Sequence, residues 1–510
     1  MGGYIDDVGL GLKNVNRTTR RGGRASLKFQ ADQDWSLTAF LTDQSIASAD
    51  SQYAEPSVGE RKRSSLVRQP HDNDFLQGGL TVDGDMSWAR LTATTSALHH
   101  NFDSRYDASI ALPLFLPGAT VAPSPFDDRN TAELLVNEIT LVSRGTSRLQ
   151  WLAGAFYGVG ENDEDSALTT PAGPAVPTTV YAEDRRDLVR EAALYGELSY
   201  RAAPALVVST GGRLFSSRVH TTSTIVQTAA AGPTDFAGRS VNTGFAPQVV
   251  LRFEPDPRTV VYVQAAEGYR AGGFNTASTI GQGFSGPGLP PRRFNADELW
   301  SYEAGAKTVL LDGALHLRAA LYRMVWTDIQ SDQLQADGLP FTANIGDGRD
   351  TGAELESSYQ PDDRWLFSLA VALAHPQLVR PNPQLTFDAH GLPGAPKLTV
   401  SGALGYNRPI GAGLSLRLRA DLAYIGASRL AFDAGSVRRM GDYGVGDLSA
   451  SLVSRRWRLT AFFDRTVGEE PDTFAYGNPF TVRAIPQGTP ARPATVGLQF
   501  SENFGAMAGF

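Results

Sequence analysis

Apolar and polar positions alternate along this chain in long stretches that are joined two by two. A very short polar turn connects the members of each pair, and a longer polar loop leads to the next pair. The short turns bracket residues 31–34, 85–87, 145–147, 202–205, 255–258, 312–313, 361–364, 411–413 and 455–456. They predict about nine hairpins, and a lone stretch at 494–504 brings the expected total to about 19 strands. Within 148–159 one face reads Leu149, Trp151, Ala153, Ala155, Tyr157, Val159, and the other Arg148, Gln150, Leu152, Gly154, Phe156, Gly158. In the next stretch Ala192, Leu194, Gly196, Leu198 and Tyr200 oppose Glu191, Ala193, Tyr195, Glu197, Ser199 and Arg201, so the charges fall on one side only. A single strand of this kind suits a soluble sandwich equally well. Repeated end to end in strands of about 10–18 residues, it predicts an all-β fold, a large antiparallel transmembrane β-barrel with one greasy and one watery face.

The connections support this. Short turns alternate with loops such as 51–73, 108–129, 166–184, 276–296 and 471–487, which puts the short turns on the periplasmic side and the long loops outside the cell. Tyr and Trp gather near strand ends, where an interfacial girdle would lie.

Composition narrows the function. Lys+Arg 46 against Asp+Glu 54 leaves a net charge of -8, with the cations scattered, which removes the electrostatic footprint of a nucleic-acid partner. With Cys 0 there is no disulfide framework, thiolate metal site or thiol nucleophile. The most apolar stretch, 109–123, is broken by Pro113, Pro117 and Gly118, so no helix spans a membrane. The opening Met1-Gly-Gly-Tyr-Ile-Asp-Asp lacks the basic and apolar regions of a signal peptide, which is expected if the true start lies upstream.

Several strings then resemble those of TonB-dependent outer-membrane receptors of the siderophore type. They are Tyr195-Gly-Glu-Leu-Ser-Tyr with Ala205-Leu-Val-Val-Ser-Thr-Gly-Gly-Arg, and the strand that ends Glu267-Gly-Tyr-Arg-Ala-Gly-Gly-Phe-Asn275. Two more follow: Glu303-Ala-Gly-Ala-Lys-Thr with Leu311-Asp-Gly-Ala-Leu, and Asn344 through Gly352-Ala-Glu-Leu-Glu. They lie in order over roughly residues 4–504 and are specific together. The resemblance implies a barrel of about 22 strands around an N-terminal plug, with TonB reached only through that plug region. Neither plug nor TonB-contacting segment fits ahead of Gly3, and about three strands are unaccounted for. The chain is therefore expected to be a receptor barrel over 1–510, truncated at its N-terminus: 1–17 the remnant of a preceding strand and extracellular loop, 18–504 the strands, 505–510 a tail. Alone, it should not perform energised transport, and its sheet should show free edges near 18–31 and 494–504.

The implied partners are the lipid bilayer and lipopolysaccharide, the outer-membrane assembly machinery through the C-terminal strand, and a small ligand such as a siderophore, with the chain a monomer. The assembly signal is Phe504 or Phe510. No cofactor is implied. The ligand-binding residues are unknown, and Glu191, Glu197 and Arg201 are expected to set the field in the lumen.

Enzyme motifs are absent: no His-Glu-x-x-His, no Gly-x-Ser-x-Gly, no phosphate loop. The glycines of 346–352 read as a loop-to-strand transition. His99 and His100, adjacent on a strand, point to opposite faces and cannot share a metal ion. Glu161-Asn-Asp-Glu-Asp165 reads as a solvated acidic loop, with calcium or lipopolysaccharide bridging as the sharper alternative. Tyr269 and Arg270 are assigned a structural role where the chain leaves the membrane band. Two other readings stay open: a plugless diffusion porin, and a secreted β-rich binding or hydrolytic protein.

Overall fold

The hairpins begin with local turn chemistry. At the first short turn the Asp32 carboxylate accepts hydrogen bonds from the backbone N–H of Asp34 (2.9 Å) and Trp35 (2.8 Å). Asp362 does the same for Arg364 (2.8 Å) and Trp365 (3.0 Å), and the Ser454 hydroxyl accepts from Arg456 and Trp457. Such side-chain turns reverse the chain in very few residues. At 311–313 the reversal instead uses left-handed backbone, with φ of 54° at Asp312 and 98° at Gly313.

The computed structural model describes residues 2–171, 177–228, 232–277, 291–383, 391–411, 413–430, 439–468, 472–474 and 477–503. Nineteen long strands form one antiparallel sheet. The first ten are β1 (Thr18–Gln30), β2 (Trp35–Ser48), β3 (His71–Asp85), β4 (Ala89–Asp107), β5 (Pro125–Ser143), β6 (Leu149–Pro171), β7 (Pro177–Ala203), β8 (Leu206–Gln227), β9 (Thr234–Asp256) and β10 (Thr259–Arg270). The rest are β11 (Asp297–Leu310), β12 (Leu315–Thr327), β13 (Gly346–Tyr359), β14 (Trp365–Ala374, resumed at Gln377–Pro381), β15 (Leu398–Gly411), β16 (Leu414–Ile425), β17 (Tyr443–Val453), β18 (Trp457–Val467) and β19 (Thr495–Glu502). Each pairs with its neighbours in sequence, and the sheet curls into a barrel.

The faces sort as the alternation predicts. Leu149, Trp151 and Ala155 stand in register with Tyr200, Leu198 and Leu194 on the outside, while Gly154 and Phe156 oppose Tyr195 and Ala193 inside. Outward Leu194 and Leu321 are 63% and 65% exposed, which a folded chain tolerates over a whole wall only where lipid covers it. Near the short turns Trp88 stacks on Trp151, and Trp365 packs against Phe367 and Tyr406, an aromatic girdle at that membrane boundary. Glycines inside strands make room for rings lying across from them: a Cβ on Gly154 would stand 2.2 Å from the Tyr195 ring, and one on Gly352 would stand 2.3 Å from Tyr322.

Two differences from the sequence reading concern length. Residues 166–184 were expected to be a loop, yet β6 continues to Pro171 and β7 begins at Pro177, in ladder almost throughout. These strand ends rise above the lipid band, where the outer face meets water and the inner face mixes carboxylates with apolar residues such as Leu168 and Tyr181, so the greasy-and-watery alternation that marks a strand disappears. The last strand ends at Glu502; Phe504 and Phe510 lie outside the described residues.

Among the described residues, β1 pairs only with β2 and β19 only with β18, leaving the two edges expected near 18–31 and 494–504. Leu27 is 72% exposed and Leu498 78%, because each has neighbouring strands on one side only. β1 leads into a short turn and β19 descends from a long loop, so both run in the same direction.

Candidate functional site

The long loops converge over one end of the barrel. Between β4 and β5 the short helix α1 (Leu112–Phe115) buries Leu112 and Phe115 against Phe126, Leu168, Tyr181 and Ile225 from the raised strand ends. Leu339, from the small hairpin Gln330–Leu334 with Pro340–Asn344, joins this core, as does Phe480 from the loop before β19. The Phe480 ring lies 4.6 Å from that of Phe126. Loops far apart in sequence thus share an apolar core at the mouth, and burial of these rings holds them together.

Polar contacts close the other side of the mouth. Arg63, with no exposed surface, donates from Nε to Asp7 (3.0 Å), pairs with Asp50, and donates to the Ser51 carbonyl (2.9 Å) beneath the Tyr53 ring. Asn478, equally buried, donates to the Asp107 carbonyl (2.7 Å) and to Gln69 (3.0 Å). The segment 4–16 is fixed by the same network, since Asp7 also accepts from the Ser65 N–H and Asn16 accepts from Tyr4 and Ile5.

The glycine-rich string after β10 builds a third node. Tyr269 stacks on Phe215, with ring centroids 3.3 Å apart, and its hydroxyl donates to Glu191 (3.0 Å). Arg270 grips Asp297, which is only 2% exposed, and lies over the Trp326 ring, while Asp297 also accepts from Trp326 Nε1 and the Gln330 N–H. Asn275 donates to the Thr342 carbonyl (2.7 Å) and accepts from its N–H (2.8 Å), tying this segment to the 330–344 hairpin. Tyr269 and Arg270 thus sit in contacts that fix where the chain leaves the wall and turns inward. Asp297, the shared acceptor, went unread because only strand pairing brings it to Arg270.

The lumen-facing charges meet partners across strands. Glu191 pairs with Arg213 (2.7 Å), Arg201 with Glu254 (3.0 Å), and Glu197 accepts from the Ser199 hydroxyl (2.9 Å). Arg213 also lies over the Phe156 ring, and Tyr195 donates to Glu138 (2.7 Å). Glu138, Glu191, Tyr195, Glu197 and Arg213 line an open chamber of about 830 Å³ below the mouth; a second, of about 760 Å³ around Lys307, Arg318 and Asp421, lies nearer the short turns.

Above the lipid band the inner face is acidic. Burial, then Asp103 and Glu183, push Asp128 up to about 6, and burial with Asp128 pushes Glu164 up to about 7. Glu183 accepts from Tyr181 (2.6 Å) and Ser223 (2.7 Å), and Arg185 holds the inward loop through the Phe274 carbonyl and Thr276.

The other candidates separate. His99 faces outward beside Glu133 (3.2 Å), and His100 faces inward beside Asn73 (3.0 Å), as strand geometry requires. Glu161 and Asp163 lie on the outer wall and pair with Arg186, within a strand rather than a loop. Residues 346–352 open β13, with no helix following. Among the described residues, no three His, Asp or Glu side chains are arranged to hold a metal ion.

Known proteins share this architecture. The ferric yersiniabactin uptake receptor FyuA from Yersinia pestis superposes with a TM-score of 0.77 at 16% identity, covering 98% of this chain and 73% of that one. The siderophore receptor PiuA from Acinetobacter baumannii gives 0.70 at 14%, covering 96% and 75%, and the copper transporter OprC gives 0.68 at 15%, covering 98% and 74%. The family described as TonB dependent receptor-like, beta-barrel matches residues 4–464. With the sheet, the girdle and the string from Glu267 to Asn275 all in place, the chain belongs to the TonB-dependent receptor β-barrel family of the bacterial outer membrane.

Proposed function

We propose that this chain forms the wall and mouth of an outer-membrane receptor that captures a scarce metal chelate, such as an iron–siderophore complex, and admits it with energy from TonB. The observation that carries this reading is the mouth itself. Three separate long loops and the raised strand ends share one apolar core above a polar chamber, an arrangement suited to enclosing a small ligand and out of place in an open diffusion pore. The siderophore receptors among the similar structures support the ligand class. TonB acts on a plug region inside the barrel, and the wall supplies rigidity, the lumenal field and the gate.

The test is uptake of radiolabelled ferric chelates by cells that lack other receptors and express this chain together with a plug region supplied in trans, with and without TonB. Uptake that requires TonB supports the receptor. Uptake unchanged by loss of TonB is passive diffusion and overturns it.

A further inference from the structure

The chamber below the mouth carries unbalanced charge. Four carboxylates line it, Glu138 of β5, Glu191 and Glu197 of β7 and Glu267 of β10, against the two cations Arg213 and Arg270. Both cations are already matched, Arg213 by Glu191 (2.7 Å) and Arg270 by Asp297. Glu138 accepts from the Tyr195 hydroxyl and Glu197 from that of Ser199, and among the described residues neither of them, nor Glu267, pairs with a cation. Three uncompensated carboxylates facing a wide lumen between low-dielectric walls focus a negative potential there. The way in has the same sign: above the lipid band Asp128, Glu164 and Glu183 adjoin on the inner face, while Arg185 beside them is held by Asp187 (2.7 Å).

Two further features of the lining suit a cation that carries polar groups. The rings of Tyr195 and Tyr269 border the same chamber, and ring faces attract cations; Arg213 already lies over Tyr195 and Phe156. Ser217 of β8 stands directly across the ladder from Glu191 on the inner face, 1% exposed, and its hydroxyl has no hydrogen-bond partner among the described residues. The side-chain nitrogen of Asn242, its neighbour on β9, is likewise buried and unpartnered. Folded proteins seldom leave such groups buried and unpaired, so these two offer an acceptor and a donor to a molecule held beside Glu191. Resting on the reading of this chain as a receptor for a metal chelate, we propose that the chamber selects chelates of net positive charge, such as a complex bearing a free ammonium group, and that Glu138, Glu197 and Glu267 provide the selection against anionic, carboxylate-rich complexes.

The experiment uses the lack of native cysteine (Cys 0) to report on the chamber directly. Gln248→Cys places a thiol on the lining. In outer membranes of cells that express the full chain with a plug region supplied in trans, that thiol is modified with trimethylammonium-ethyl or sulfonatoethyl methanethiosulfonate, and each rate is divided by that of the same reagent with free cysteine. The cationic reagent should be favoured about tenfold, as expected of a cleft lined by one sign of charge, and the preference should shrink in high salt. Adding Glu138→Gln, Glu197→Gln and Glu267→Gln should bring the two reagents within about twofold of each other. Equal rates, or a faster anionic reagent, in the Gln248→Cys chain overturn the proposal, a comparison that needs none of the Glu variants to fold. A preference kept in full by the Gln variants overturns the role of the three carboxylates. The receptor reading is tested apart from this, since uptake that ignores TonB overturns it whatever the thiol reports.

Discussion

The Asn478 side chain donates a 2.7 Å hydrogen bond to the backbone carbonyl of Asp107, joining the loop before β19 to the end of β4 across 371 residues of chain. Both partners are buried, and the Gln487 side chain accepts from the Asn478 N–H beneath them. This is the polar half of the mouth, and its apolar half is the packing of Phe480 on Phe126.

Replacing Asn478 by Ala strands the buried Asp107 carbonyl and the Gln69 side chain without their donor. A buried polar group left unpaired costs about 1–3 kcal/mol. The loss should appear locally, as faster hydrogen exchange and easier proteolysis at 107–124 and 477–489, while the ladders of β7 and β8 keep their protection. Unchanged protection of the two loops would show that the contact does not hold the mouth.

Arg63 gives a sharper case, because its two carboxylate partners are as buried as it is. Arg63→Ala leaves Asp7 without a cation and Asp50 with only the longer contact to Arg68 (3.4 Å), at a cost of about 3–5 kcal/mol to the local structure. Arg63→Lys should rescue little, since an ammonium cannot reach Asp7, Asp50 and the Ser51 carbonyl together as the guanidinium fork does. Exchange protection at 5–16 and 50–69 reads the outcome; a Lys variant as protected as the original would contradict the role given to the fork.

These contacts mark the limit of what the sequence alone reveals. Turns such as Asp32 to Trp35 use neighbouring residues, and strand faces such as Leu194 against Tyr195 follow from period two, so the wall was readable. The string around Tyr269 and Arg270 was visible as a signature, but its partners Phe215 and Asp297 come from other strands. Arg63 with Asp7 and Asn478 with Asp107 depend on contacts distant in sequence, and nothing local to either residue foreshadows them. The extended ends of β6 and β7 were misread for a different reason: above the membrane the outer face is polar while Leu168 and Tyr181 are buried in the mouth, which erases the greasy-outside alternation, and Pro171 and Pro177 imitate a loop boundary.

Gly154 tests the wall. Its missing side chain accommodates Tyr195, whose hydroxyl is engaged by Glu138 and Thr140, so the ring cannot simply swing aside. Gly154→Val should overpack the lumen face by about 1–3 kcal/mol and lower the melting temperature of the detergent-solubilised barrel. Gly118→Ala, at a loop position with φ of 89° where nothing crowds the site, provides a strain-only comparison expected to move the mouth and not the wall. Similar melting of wall and mouth in both variants would refute the packing role of Gly154.

The last prediction concerns pH. Asp128 and Glu164 are raised from 3.8 and 4.5 to about 6 and about 7, chiefly by burial at the inner face of the mouth. A carboxyl that holds its proton more tightly folded than unfolded stabilises the fold fully below its unfolded value. That stabilisation is lost as pH rises through the folded value. The raised ends of β5, β6 and β7 should therefore be firmest near pH 4 and loosen progressively up to about pH 7, as two adjoining carboxylates acquire charge. Limited proteolysis at 125–131 and 161–171, followed from pH 4 to pH 8, measures the change. Asp128→Asn combined with Glu164→Gln should flatten the profile while leaving the pH 4 behaviour nearly intact, because the amides mimic the protonated groups. An equally steep profile in that variant would place the pH sensitivity elsewhere on the mouth.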